Sequence, residues 1–401
     1  MYLSIKSNIK SIDGKQDLRT MLNQLIKDND ISCYSLADEI GINRITFSSY
    51  LSGKSELKFG QIIRVMKLLG LNESQFLELY KRETSDKDVE ELEKSEKLSY
   101  ILNNFDISIL KKIGIIKARA KIDEYESQIC SFFGFSSIYE YDDTSLFPTL
   151  YSKSKRRIAE EKESKMTKLW LKCAVCSFSK INNPNDFDKD LLVQLVRRTA
   201  EFTEDEINGY HKFILVLFNI GITVLTQPYI SGTKAYGGTI IVNGKPCIII
   251  TDMGKQYHKL WISLLHELYH VLNDLDLIES LEYHFSTPEQ PDMMLNEKRA
   301  DQFALDVLIN PTVQEQLPKI INFSYKVREL ANSLCVSKTI IYGVYLESLS
   351  SDKQKEMFPV LSRYLNTSEK TVKDIIFDAV AKRSLNEAIE KMKIQLYKKI
   401  I

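Results

Sequence analysis

The segment His266-Glu267-Leu268-Tyr269-His270 constrains this chain more than any other stretch. On a helix, residues four apart project from one face, so both imidazoles can reach one ion. Glu267 lies about 100° round the same helix and can meet a water beside that ion. Two histidine ligands with a carboxylate base is the geometry of a zinc peptidase. The segment is therefore expected to be helical and to present a metal-binding site.

Zinc needs a third protein ligand and an open fourth position. Downstream, Ala300, Phe303, Ala304, Val307 and Leu308 form an apolar helical stripe. Glu297 begins that helix and can supply the third ligand. Asp301, one turn on, can accept the free ring N–H of a ligating histidine and fix its tautomer. The plainer alternative is a surface Glu and Asp on an amphipathic helix.

Composition narrows the setting. In 401 residues, 54 Lys+Arg balance 54 Asp+Glu, which argues against coating nucleic acid or membrane with the whole surface. The length suggests two or three domains. The longest apolar stretch, from Phe213 to Leu225, is broken by Asn219 and Gly221, so no membrane span is expected. No secretion signal is evident at Met1-Tyr-Leu-Ser-Ile-Lys. Six scattered cysteines are too few for a disulfide scaffold, and a reducing, cytoplasmic location fits. Cys173 and Cys176 read as buried core thiols rather than a redox or metal pair.

Helical periodicity runs through most of the chain. Three short β-branched runs interrupt it: Ile222-Thr-Val-Leu, Thr239-Ile-Ile-Val and Cys247-Ile-Ile-Ile-Thr. Asn243-Gly244 joins the last two as a hairpin signal. Thr203 and Glu206 suggest a capping box opening a helix. The stretch 83–99 holds seven acids and three bases and reads as a solvated linker or exposed helix. The expected fold is α+β and mostly α-helical. Its spans are a five-helix module at 1–82, an acidic linker and helical region at 83–184, a metal-binding domain with a small antiparallel sheet at 185–346, and a helical tail at 347–401.

From about Leu191 to Leu346 the chain resembles the ImmA/IrrE family of gluzincin-like metallopeptidases. The resemblance lies in Asn219-Ile-Gly221-Ile-Thr-Val, Gly237-Gly-Thr-Ile-Ile-Val and the His266–His270 segment. It continues in Glu297-x-x-Ala300-Asp301-x-Phe303-Ala304 with Pro311, and in Leu330 to Ser337 with Gly343. It implies a zincin-like fold, a Zn2+ cofactor held by His266, His270 and Glu297, and Glu267 as general base. Tyr269 departs from the family, where many relatives have Gly. A substrate strand is expected on an exposed sheet edge, with Gly238–Val242 the candidate. Tyr236, Tyr283 and His284 are candidate oxyanion donors by position alone, the alternative being ordinary polar surface residues.

Residues 35–54 read as helix, tight turn at Gly41, second helix and a Gly stop at Gly53. Ala37 is small where two helices cross, and Ile42, Phe47 and Tyr50 suit a core. Over about residues 15–80 this resembles the Xre/Cro-like helix-turn-helix family. The resemblance implies that Asn43, Arg44, Ile45 and Ser49 face base edges, while Lys54 and Lys58 approach phosphates. The module holds 12 Lys/Arg against 9 Asp/Glu, so any basic patch is local. A DNA binder of this kind should be a homodimer on a near-palindromic site.

The joint expectation is a DNA-binding regulator whose zinc endopeptidase domain cleaves a regulatory protein. The substrate would be a helix-turn-helix repressor, or the chain itself, in mobile-element, stress or phage-defence control. The competing expectation is a non-catalytic repressor or antitoxin whose zinc is structural or sensing.

Overall fold

The computed structural model describes residues 17–83, 86–142, 164–230, 233, 236–281, 283–286 and 297–397. Its contacts divide the chain into two units, Met1–Lys97 and Leu98–Ile401. Of the four spans read from sequence, 83–184 is shared between the units. The spans 185–346 and 347–401 both lie in the second.

The first unit begins with five short helices: α1 (Leu18–Asp28), α2 (Cys33–Glu39), α3 (Arg44–Leu51), α4 (Phe59–Leu68) and α5 (Glu73–Glu83). Polar caps set their starts. Asp17 accepts the Thr20 N–H, Ser32 the Ser35 N–H, and Asn43 the N–H groups of Ile45 and Thr46. Each such cap stabilises its helix by roughly 1 kcal/mol. Gly41 makes the turn between α2 and α3 at φ +67°, where a side chain would be strained. Leu18, Leu22, Leu36, Ala37, Ile42, Phe47, Tyr50 and Val65 fill the core, so the expected packing of this motif holds. The acidic stretch forms the start of one long helix, α6 (Asp86–Asn104).

In the second unit, α7 (Ile107–Ile113), α8 (Tyr125–Phe133), α9 (Lys165–Ile181), α10 (Lys189–Arg197), α11 (Thr199–Thr203) and α12 (Gly209–Asn219) precede the sheet. Cys173 is buried and Cys176 half-buried in α9, and burial pushes both thiols up. The Thr203–Glu206 capping box does not form. Thr203 ends α11 and donates to the Ala200 carbonyl at 2.7 Å. The Glu206 carboxylate instead accepts from Ser337, Thr339 and Asn366, because distant chain offers it three donors at once.

The sheet holds β1 (Thr223–Gln227), β2 (Gly237–Val242), β3 (Lys245–Thr251) and β4 (Tyr283–Ser286), in the order β1-β3-β2-β4. It is mixed, not purely antiparallel as expected. The Asn243-Gly244 turn folds β3 back on β2, with Asn243 at φ +53° and Gly244 at φ +71°. β1 pairs with β3 rather than with its sequence neighbour β2, and that ladder is parallel, from Thr223↔Cys247 to Gln227↔Thr251. The Gly238–Val242 edge is also corrected. β4 pairs with β2 from Gly237↔Ser286 to Ile240↔Tyr283, so β2 is an inner strand over most of its length.

Against β2 and β3 lies α13 (Tyr257–Asn273). Leu260, Trp261, Leu264, Leu265, Leu268 and Val271 are buried on it, and each large apolar side chain contributes roughly 1.5–3 kcal/mol of burial. α14 (Leu275–Leu281) follows, and α15 (Glu297–Leu308) packs along α13. The tail belongs to the same core through Phe377, Leu385, Ile389, Met392 and Leu396. It also touches the outer edge of the sheet, where the Phe377 N–H donates to the Thr226 carbonyl at 2.7 Å.

Candidate metal centre and reading helix

Helix α13 carries His266 and His270 four residues apart, and α15 brings Glu297 to them from its first turn. The two Nε2 atoms stand 3.2 Å apart. Glu297 Oε2 is 3.2 Å from His266 Nε2, and Oε1 is 3.4 Å from His270 Nε2. One donor atom from each residue falls within 4.8 Å of the others. His270 is fully buried, and His266 and Glu297 are 8% and 13% exposed at their side chains.

Each ring is held from behind by a carboxylate. His266 Nδ1 lies 2.8 Å from Asp301 Oδ1, and His270 Nδ1 lies 2.8 Å from Asp274 Oδ2. A carboxylate partner makes Nδ1 the protonated nitrogen and leaves the Nε2 lone pair facing inward. Two inward lone pairs and a carboxylate converge on one point, which only a cation satisfies. Without a metal a proton takes that part. Burial works against charge on His266, yet the bonds to Asp301 and Glu297 and the Glu267 charge carry its pKa up to about 10. The donor set therefore fits a divalent metal.

Glu267 is 1% exposed and lies between α13 and β2. Thr239 Oγ1 donates to its Oε2 at 2.7 Å. Tyr269 stacks edge-on against His270 and Phe303, with ring centroids 5.6 and 5.4 Å away. It lines an open cleft of about 700 Å³ with Phe303, Val193, Arg197 and Leu334.

The sequence-derived residues thus divide. His266, Glu267, His270, Glu297 and Asp301 come together. Tyr236 is half-buried before β2 and its carbonyl accepts the Thr251 N–H. The side chains of Tyr283 and His284 lie outside the described residues, although their backbones form β4. Asp274 was missed, yet its signal was plain: it stands four residues after His270, at the C-terminal cap of the same helix. Thr239 was missed because nothing in a β-branched run marks which hydroxyl will meet a carboxylate.

On α3, Asn43 spends its side chain on capping. Arg44 binds Asp38, Nε to Oδ1 at 2.9 Å, and the guanidinium holds that carboxyl below its usual range. Ile45 is 77% exposed, Ser49 is half-buried, and Lys54 and Lys58 are exposed.

The family model of the Cro/C1-type HTH DNA-binding domain matches residues 21–94. That domain covers α3 and its neighbours and gives the chain a DNA-binding module. No curated protein and no solved structure matches the chain. Among the described residues, no helix is long and apolar enough to cross a membrane.

Proposed function

We propose that this chain is a DNA-binding regulator with a zinc-dependent endopeptidase site that cleaves a regulatory protein. The observation that carries the reading is the convergence of His266, His270 and Glu297, with Asp301 and Asp274 behind the rings. The likeness to ImmA/IrrE sequences supports the same assignment. Zinc suits two imidazoles and a carboxylate, and manganese or iron are the other ions such a set accepts.

When bound, a divalent ion would polarise a peptide carbonyl and acidify a nearby water. The chain's own residues do the rest. Asp301 and Asp274 fix the imidazoles with Nε2 turned inward. A carboxylate oxygen of Glu267 takes the proton of the attacking water and returns it to the departing amine nitrogen. A helix-turn-helix repressor, or the chain itself, is the substrate proposed. On the HTH unit, exposed Ile45 offers apolar contact to a thymine methyl, and Lys54 and Lys58 offer contacts to phosphate. Binding as a homodimer follows from the short reach of one module.

The deciding measurement is elemental analysis of protein purified without added metal, with His266→Ala beside it. One zinc per chain in the wild type and almost none in the variant supports the site. No metal in either, even after zinc is offered, overturns the peptidase reading.

A further inference from the structure

Strand β2 does more than support α13. Its residues 237 and 239 share one face, because side chains alternate along a strand. That face meets Glu267. Thr239 is fully buried, and its hydroxyl has a single proton, which it donates to Glu267 Oε2 at 2.7 Å. Two residues earlier the chain has no side chain at all. A Cβ at position 237 would stand 2.8 Å from Glu267 Oε1, 3.1 Å from its Cγ and 3.2 Å from its Cδ. Real Cβ atoms do not approach so closely, and Glu267, 1% exposed, has little room to yield.

One face of β2 thus meets both carboxylate oxygens: a hydroxyl grips one, and the missing side chain at 237 makes room for the other. A glutamate has several rotatable bonds, and a base must sit within about 0.5 Å of its working position. A hydroxyl on one oxygen fixes the rotation of the carboxylate plane. A glycine beside the second oxygen keeps that rotation allowed.

We infer that Thr239 and Gly237 are positioning residues for Glu267: Thr239 holds Oε2 by a hydrogen bond, and the absent side chain at 237 gives the rest of the carboxylate its place. The inference rests on the peptidase reading above. It assigns neither residue a contact with substrate or metal.

Cobalt(II) alone is the probe, because its visible absorption reports the ionisation of groups around the ion. Purified full-length protein is loaded with cobalt, and the pH midpoint of the band is measured. Glu267→Gln is expected to move the midpoint by on the order of one pH unit. Thr239→Val keeps the shape of the side chain, removes the hydroxyl, and is expected to move the midpoint as well. Gly237→Ala is expected to do likewise. Thr239→Ser is expected to titrate as wild type, because it restores the hydroxyl while losing the methyl. Cobalt content and thermal melts accompany each variant, and Gly237→Ala carries the test if Thr239→Val does not fold.

Wild-type midpoints in Thr239→Val and Gly237→Ala, with Glu267→Gln shifted, overturn the inference and leave the peptidase reading standing. A shift in Thr239→Ser as large as in Thr239→Val also overturns it, since packing and not the hydroxyl would then be the cause. No cobalt in the wild type, or no shift in Glu267→Gln, overturns the reading of Glu267 itself and the inference with it.

Discussion

Helices α3 and α13 both carry candidate functional side chains, and they treat them in opposite ways. On α3, Arg44 and Ile45 face solvent, and Arg44 is held only by an exposed partner, Asp38. On α13, His266, Glu267 and His270 are buried, and each is held by a second residue of the same unit: Asp301, Thr239 and Asp274. A reading helix is completed by its partner, so its side chains must stay free to adapt. A metal and base site must be finished before substrate arrives, because reorganisation during the reaction would cost rate.

The contrast breaks most sharply at the third ligand. Glu297→Ala should remove nearly all bound zinc while DNA binding by the intact chain is retained; equilibrium dialysis beside a gel-shift assay checks both. If DNA binding is lost as well, the two activities are not separable by residue. Next come the carboxylates behind the rings. Asp301→Asn and Asp274→Asn should each weaken zinc affinity by roughly 10- to 100-fold with the ligands intact. Competition with a chelator measures this, and an unchanged affinity would show that the rings need no support.

On α3 the effects should be smaller and shaped by salt. Lys54→Ala should lower the slope of log K against log salt by about 1, with affinity weakened to a similar extent on all sequences. Ile45→Ala should instead weaken binding only to the preferred sequence. A uniform loss for Ile45→Ala would remove its assignment as a base reader.

A separate effect, outside that ranking, concerns pH in the metal-free protein. The folded pKa of His266 is raised to about 10 from an ordinary value of 6.5. The folded state therefore holds a proton that the unfolded chain has released. That stabilisation is full below about pH 6.5 and is lost as pH rises through about 10. Melting temperature should fall across this window, and less so in Asp301→Asn. Zinc displaces the same proton, so its affinity should rise by up to about tenfold per pH unit there.

Much of the candidate site was legible because helices keep their spacing. His266, His270, Glu297 and Asp301 each follow from a 3.6-residue period applied to two segments. Asp274 was open to the same rule. The sheet was less legible. The hairpin at Asn243-Gly244 could be read, but no local signal tells β1 to choose β3, or four residues of β4 to cover β2. Glu206 shows the same limit. Its spacing from Thr203 fits a cap, and donors more than a hundred residues away outbid that local use. Arg44 resembles a base reader in sequence, and only the fold reveals Asp38 beside it.

Those distant bonds also bear on the timing of folding. Thr226 meets Phe377, Glu206 meets Ser337, and the Tyr397 hydroxyl reaches the Ile181 carbonyl. A ribosome delivers the first partner of each pair long before the second. Until residue 377 emerges, the outer strand of the sheet offers its backbone to any passing chain. Long-range closure of this kind slows folding, because chain entropy is lost before contacts repay it. Closure of this edge of the sheet thus waits on the segment around residue 377, which acts as its latch.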